Sequence, residues 1–152
     1  MKLTMLILTL MTLMRLPVPG ICSDHAARQS DEESIREAAL NYIEGWYDGD
    51  SVRVESSLHP ELAKRMVQTD KNGRSQLNQM SAMTLVQNTR LGGGKKTPLK
   101  RQIKEVKILD VFENAASVRI DASDWVDYLH VVKYNGKWVI INVLWELKVA
   151  SK

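Results

Sequence analysis

Residues 125–148 decide the fold, and they read WVDYLHVVKYNGKWVIINVLWELK. Asn135-Gly136 near the middle is a dipeptide that favours the two-residue turn of a β-hairpin. The alternation of side chains on both sides of it predicts two antiparallel strands, over 125–134 and 137–148. A two-residue turn also sets the register of the two strands, and it places Leu129 opposite Asn142 and Asp127 opposite Leu144.

This register divides the hairpin into two faces, and both faces are largely apolar. The first face carries Trp125, Asp127, Leu129, Val131, Trp138, Ile140, Asn142 and Leu144. The second face carries Val126, Tyr128, His130, Val132, Val139, Ile141, Val143 and Trp145. A sheet that meets water on one side shows a polar alternate set, so we expect both faces to be covered. With too few helices for two layers, the pattern predicts a homodimer that packs sheet to sheet.

The segments before the hairpin complete an α+β pattern. Two further strands are predicted over 103–112 and 116–122, where apolar residues again recur at every second position. Residues 61–68 fit either a helical turn or a short strand, and residues 70–73 have the composition of a turn.

Three helices are predicted before these strands, and each begins at a residue suited to capping. Ser30 and Glu33 form the pattern of a capping box for a first helix that ends at Gly49. Asp50 caps a second helix through residue 58, and Ser81 opens a third helix. We therefore expect three N-terminal helices that cover one face of a mostly antiparallel sheet.

Residues 1–22 have the features of a secretory signal peptide. A positive start at Lys2 precedes a short apolar run without charge, and Pro17 and Pro19 follow it. The run is shorter than the roughly 20 residues that cross a bilayer. We expect cleavage within residues 20–25, a polar tail over 23–29 and a single domain over 30–148, in a secreted or periplasmic protein. Cys22 leaves open a lipoprotein, although the three residues before it match that processing poorly.

Composition excludes several classes of protein. The 152 residues include 21 Lys and Arg, 18 Asp and Glu, and a single Cys, so neither an internal disulfide nor a cysteine-rich zinc cluster can form. Cleavage after Cys22 removes Lys2 and Arg15 and leaves 19 basic against 18 acidic residues. Charge therefore predicts neither a nucleic-acid partner nor, after cleavage, a membrane partner. We also expect no metal site and no cofactor, because no His, Asp and Glu residues have the spacing of metal ligands.

Four segments resemble a known family: 42–50, 58–65, 127–129 and 136–142. Together they are similar to the putative lumazine-binding family of the nuclear transport factor 2-like superfamily, over about residues 31–148. The resemblance implies a cone formed by helices and a curved sheet, with a pocket at its open end. The superfamily includes enzymes of the ketosteroid isomerase type and many non-catalytic members.

Aromatic and amide side chains are the candidate ligand-binding residues. Tyr42 and Trp46 lie one turn apart on the apolar face of the first predicted helix, where they can serve the core or line a pocket. Trp138 and Asn142 share the first face of the hairpin with Asp127. Such walls suit a small, largely apolar or aromatic ligand.

Asp127 and His59 are the candidate catalytic residues. A carboxylate among apolar neighbours has a raised pKa and can exchange protons near neutral pH. His59 can act as a general base, or it can simply bond the carbonyls that end the second helix.

These features favour an exported small-molecule-binding domain without established catalysis. The first alternative is a cofactor-independent isomerase, dehydratase or hydrolase, resembling the ketosteroid isomerase type, that uses Asp127 with His59 or a tyrosine. The second alternative is an interaction module in which the sheet dimer is the functional unit.

Overall fold

A computed structural model describes the backbone of residues 21–148 and the side chains from Ala26 to Lys148. The helices are α1 (Ile21–Asp48), α2 (Ser51–Ser57) and α3 (Ala82–Arg90), and two short 3₁₀ turns follow over Gly94–Lys96 and Leu99–Arg101. The strands are β1 (Leu58–Thr69), β2 (Ser75–Ser81), β3 (Lys104–Phe112), β4 (Ala115–Ala122), β5 (Trp125–Tyr134) and β6 (Lys137–Leu147). Most of the predicted signal peptide lies outside the described residues. None of the helices described is both long enough and apolar enough to cross a membrane.

The six strands form one mixed sheet in the order β2-β1-β6-β5-β4-β3. Neighbours are antiparallel except β1 and β6, which run parallel. The core lies between the sheet and α1, whose buried residues recur at the spacing of one helical face: Ile35, Ala39, Tyr42, Ile43 and Tyr47. The predicted α+β fold, with three helices on a mostly antiparallel sheet, is confirmed.

The first helix begins earlier than the capping box predicts. α1 starts at Ile21, and Ser30 lies inside it, where its carbonyl accepts a hydrogen bond from the Ser34 hydroxyl. Residues 26–29 are Ala-Ala-Arg-Gln, which have high helix propensity and carry the helix back past Ser30. The capping box is therefore wrong as a helix start.

The starts of α2 and α3 are confirmed at the predicted capping residues. The Asp50 carboxylate accepts a hydrogen bond from the Arg53 amide at 3.0 Å, and the Ser81 hydroxyl accepts one from the Thr84 amide at 3.3 Å. These bonds satisfy amide groups that the first turn of a helix leaves unpaired.

Residues 58–81 form a hairpin whose turn is predicted from sequence, whose first strand is one of two predicted alternatives and whose second strand is not predicted. β1 occupies the segment that fits either a helical turn or a strand, and β2 is a polar edge strand without alternation. Pro60 cannot donate to a strand partner, and the parallel pairing of β1 with β6 is interrupted between Leu58 and Ala63. The predicted turn is confirmed at Gly73, which has φ of +77°.

The β5–β6 hairpin keeps the predicted register only near its turn. Tyr134 pairs with Lys137 and Val131 with Ile140, but a bulge then places His130 opposite Asn142. One extra residue in a strand turns every later side chain to the other face. The predicted faces are therefore wrong beyond Ile140.

The shift changes which side chains of β6 meet the helices. Asp127 lies opposite Trp145 instead of Leu144, and Leu129 lies opposite Val143 instead of Asn142. Val143 is buried and Leu144 is exposed. The bulge therefore gives the helix-covered side of the sheet a tryptophan next to Asp127.

Candidate functional site

An aromatic cavity of about 190 Å³ lies between the helices and the sheet. Its walls come from α1, α3 and four strands. The lining residues are Tyr42, Ile43, Trp46, Lys64, Met80, Leu85, Trp125 and Trp145. All are apolar or aromatic except Lys64, so the cavity combines flat rings with one ionisable group.

Close packing of a glycine loop holds Trp46 in the wall. A Cβ atom at Gly94 would lie 2.2 Å from the Trp46 carbonyl oxygen, and a Cβ at Gly93 would lie 2.5 Å from Cη2 of the Trp46 ring. Both distances are far inside van der Waals contact, so only glycine fits at these two positions. The glycine run that follows α3 thus supports the cavity.

Lys64 and Asp127 form a buried ion pair directly beside the cavity. Lys64 Nζ lies 2.5 Å from Asp127 Oδ1 and donates to the Tyr42 hydroxyl at 2.7 Å. Asp127 Oδ2 accepts from the Tyr42 hydroxyl at 3.2 Å and from the indole N–H of Trp125 at 2.7 Å. Both carboxylate oxygens therefore have partners, as a fully buried charge requires.

Burial shifts the pKa values of the two side chains that bond Asp127. It lowers the pKa of the Lys64 amine below its usual range, although the Asp127 charge acts in the opposite direction. It raises the pKa of the Tyr42 hydroxyl well above its usual range, and the Asp127 charge adds to that effect. Tyr42 is therefore a neutral hydrogen-bonding group at physiological pH.

Lys64 presents its amine to the cavity while Asp127 lies behind it. Nζ lies 4.8 Å from the centre of the Trp145 ring and 5.4 Å from that of Tyr42, within the range of cation–π attraction. An ammonium group has three N–H donors, and two of them are used by Asp127 and Tyr42. The third can donate to an acceptor atom of a ligand in the cavity.

Of the predicted site residues, Tyr42 and Trp46 line this cavity and Asp127 adjoins it. His59 lies at the start of β1, lines a separate groove with α3 residues, and packs edge-on against Tyr134 with ring centres 4.7 Å apart. Its Nδ1 accepts from the Glu61 amide at 3.2 Å. His59 therefore does not share a cavity with the ion pair.

Trp138 and Asn142 also lie away from the cavity. The indole N–H of Trp138 donates a hydrogen bond to Asp31 Oδ1 at 2.9 Å. The Trp138 side chain lines a polar groove between α1 and the β5–β6 turn. Asn142 lies beyond the bulge, where its Oδ1 accepts a hydrogen bond from the Arg65 guanidinium at 2.9 Å. Trp138 keeps the predicted face of the hairpin with Asp127 but is not part of the cavity wall. The predicted face of Asn142 is wrong, because the bulge turns this residue to the outer face.

Sequence reasoning missed the cation of the site. Lys64 stands between buried Leu62 and Met66 at the two-residue spacing of a strand face, a signal that is readable only once residues 58–69 are taken as a strand. Trp145 was missed because the predicted register placed it on the other face.

A larger groove of about 670 Å³ runs beside the β1–β2 turn. Its walls include exposed residues of the hairpin, among them Gln68, Thr69 and Asp70, and it has no aromatic lining. Within the described part of the chain, no three His, Cys, Asp or Glu side chains lie close enough to hold a metal ion.

Comparison with solved structures shows the fold. An NTF2-like protein of unknown function from Shewanella baltica superposes with a TM-score of 0.62 at 19% identity, covering 80% of this chain and 97% of that chain. An NTF2-like protein with a cystatin-like fold from Novosphingobium aromaticivorans gives 0.63 at 10% identity, covering 86% and 90%. A ketosteroid isomerase-like protein from Erwinia carotovora gives 0.52 at 11% identity, covering 77% and 95%. The architecture is therefore that of the NTF2-like, cystatin-like fold.

A search of curated proteins finds no match. The family model described as putative lumazine-binding matches residues 30–146, which include the whole sheet apart from the last residue of β6 and all of the cavity walls. The chain belongs to the putative lumazine-binding family.

Proposed function

We propose that this protein is an exported domain that binds a small, flat and largely apolar ligand in the aromatic cavity. The main support is the position of one buried amine, that of Lys64. It lies against the rings of Tyr42 and Trp145 in an otherwise apolar cavity. Small-molecule sites typically combine apolar walls with a few placed polar groups. Membership of a family described as putative lumazine-binding agrees with a small ligand.

The volume limits the size of the ligand. An apolar cavity of about 150 Å³ accepts benzene, and this cavity has about 190 Å³. The space therefore suits a single ring with a short substituent. An acceptor atom on that substituent can take the third N–H of Lys64.

Filling the cavity tests this proposal. Met80→Phe enlarges a lining side chain, whereas Met83→Phe makes the same change on the exposed side of α3. We expect native mass spectrometry of protein purified from its host to show a retained ligand in wild type and Met83→Phe, and its loss in Met80→Phe. A clean unliganded mass of the wild type from several preparations would count against ligand binding.

Export is the second part of the proposal, and the leader-like composition of residues 1–22 supports it. The intact mass of protein expressed from the full sequence tests it. We expect a mature chain that begins within residues 21–26. A product that retains residue 2 would contradict export through a cleaved leader, and a lipid-sized mass increment on Cys22 would favour the lipoprotein.

An acid–base isomerase that uses Asp127 with His59 has less support. Asp127 is engaged by three donors and His59 lines another groove, so these two side chains do not face one cavity as a pair. A general base must reach the proton that it removes. Ligand binding therefore fits the geometry better than this reaction.

We also propose that the protein forms a homodimer through the outer face of the sheet. Tyr128 and Leu144 are paired across β5 and β6 and are 44% and 52% exposed, and Ile141 is exposed at the bulge. The face is more polar than the sequence predicts, because the bulge turns Asn142 outward and Trp145 inward. A smaller apolar patch with a polar rim is still typical of a protein interface.

A further inference from the structure

Lys64 combines three features that a nucleophilic lysine needs. Its amine lines an apolar cavity, a carboxylate lies 2.5 Å away to take its proton, and a neutral hydroxyl lies 2.7 Å away to pass protons. An ion pair that served only the core would have no reason to border an open volume. The Lys64 amine therefore has neighbouring groups that can exchange protons with it and a cavity that can hold a reactant.

We propose that Lys64 captures small aromatic aldehydes or ketones as a reversible imine on Nζ. The inference rests on the proposed binding function, because the carbonyl compound must first occupy the cavity. It adds to that function a ligand class, a single-ring carbonyl compound, and a covalent mode of retention. Buried lysines are suited to this chemistry because desolvation disfavours the ammonium form, so that the neutral, nucleophilic amine forms more easily.

Lys64, Asp127 and Tyr42 can supply and take up all the protons that this reaction moves. The Lys64 ammonium gives one proton to Asp127, and the neutral amine attacks the carbonyl carbon. One of the two N–H protons of the resulting adduct then passes to the former carbonyl oxygen, directly or through the Tyr42 hydroxyl, and a neutral carbinolamine forms. Asp127, directly or through the Tyr42 hydroxyl, returns that proton to the carbinolamine oxygen, which leaves as water. The product is an iminium cation that again faces the Asp127 carboxylate, and the step needs no oxidant, reductant or metal.

The groups around Lys64 favour both the free amine that attacks and the iminium cation that forms. Burial lowers the pKa of Lys64, so less free energy is needed to expose the amine lone pair than at a surface lysine. The iminium product keeps the positive charge of the ammonium, and the Trp145 ring and the Asp127 carboxylate that stabilise one also stabilise the other. Aromatic walls select a flat reactant over an aliphatic one of similar volume.

Reductive trapping with benzaldehyde tests the proposal on the wild-type protein. Benzaldehyde and sodium cyanoborohydride are added at neutral pH, and the protein is digested and mapped by mass spectrometry. We expect one benzyl group on Lys64, added at least about ten times faster than on the exposed Lys71 and Lys107. Because the readout is a peptide map of the wild type, it does not depend on whether a Lys64 variant folds.

Benzyl alcohol separates this inference from the proposed function. The alcohol has the same ring without the carbonyl, and its binding is followed through the fluorescence of the cavity tryptophans, with Met80→Phe as the control. If the alcohol binds and the aldehyde labels only exposed lysines or none, the imine is excluded and ligand binding stands. If neither compound binds nor labels Lys64, both proposals fail for single-ring ligands.

A substitution at the amine gives an independent check. Lys64→Arg keeps a cation beside Asp127 but cannot form an imine, so we expect it to lose the fast labelling. Equal labelling of wild type and Lys64→Arg would overturn the inference.

Discussion

Asp127 holds three donors from three different elements, and the loss of its charge is the sharpest test at the scale of a residue. In Asp127→Asn the Lys64 ammonium remains buried without a counter-charge. Removal of one partner of a buried ion pair costs about 3–5 kcal/mol. We expect the free energy of unfolding to fall by about 3 kcal/mol in a urea titration followed by circular dichroism.

Two further variants separate charge from packing in this test. Asp110→Asn makes the same change at an exposed position of β3 and should alter stability by less than about 0.5 kcal/mol. The double variant Lys64→Met with Asp127→Asn removes both charges and should be more stable than Asp127→Asn alone. A loss below about 1 kcal/mol for Asp127→Asn would mean that the ion pair contributes little to the folded state.

Part of this cluster can be predicted from the sequence, and the missing part has a clear physical cause. Tyr42 and Trp46 follow from helical spacing, and Asp127 follows from its apolar neighbours on a strand. Lys64 does not, because a lysine gains a buried role only from a long-range partner, here 63 residues further along the chain. A local pattern contains no information about that partner.

At the scale of the elements, Asp31 joins α1 to the β5–β6 hairpin. Its Oδ1 accepts from Lys133 Nζ at 2.8 Å and from the Trp138 indole at 2.9 Å, and these bonds lower its pKa below the usual range. A carboxyl with a depressed pKa in the folded state stabilises the fold above its usual pKa. That contribution disappears as the pH falls through the lowered value.

We therefore expect Asp31→Asn to lower the free energy of unfolding by about 1–2 kcal/mol at pH 7. The difference from the wild type should narrow below about pH 4, where the unfolded carboxyl takes up its proton. Urea titrations of both proteins between pH 7 and pH 3 measure this difference in the free energy of unfolding. Glu33→Gln changes an exposed residue of the same helix, and its difference from the wild type in the free energy of unfolding should not change between pH 7 and pH 3. A difference that stays constant with pH would contradict the assigned charge contribution.

The elements also differ in how well the sequence predicts them. Ser81, Asp50 and Asn135-Gly136 mark boundaries through local hydrogen bonds or backbone angles, and the structure confirms all three. The bulge in β6 and the edge strand β2 depend on pairing with other strands. A local pattern does not reveal such pairing, so the predicted faces of the hairpin are wrong beyond the bulge, although both strands are predicted correctly.

At the scale of the whole molecule, the apolar patch on the outer face of the sheet predicts an assembly that a mass measurement can test. Two copies related by a two-fold axis would bring each outer face against its equivalent, so that Leu144 and Tyr128 of one copy contact the same region of the other. The Arg119 guanidinium, 5.8 Å from the centre of the Tyr128 ring, lies in the polar rim of this patch. A monomer would leave the patch in water.

Leu144→Glu should convert the dimer to a monomer, because it places two like charges in one apolar interface. Leu91→Glu makes the same change at an exposed position after α3, far along the chain from the sheet face, and should leave the dimer intact. Light scattering after gel filtration at micromolar concentration gives the mass of each protein. A monomeric mass for the wild type would exclude the dimer, and a dimeric Leu144→Glu would move the interface to another surface. Because the cavity lies between the helices and the sheet, the monomeric variant should keep the proposed ligand binding, so assembly and binding can be separated in one protein.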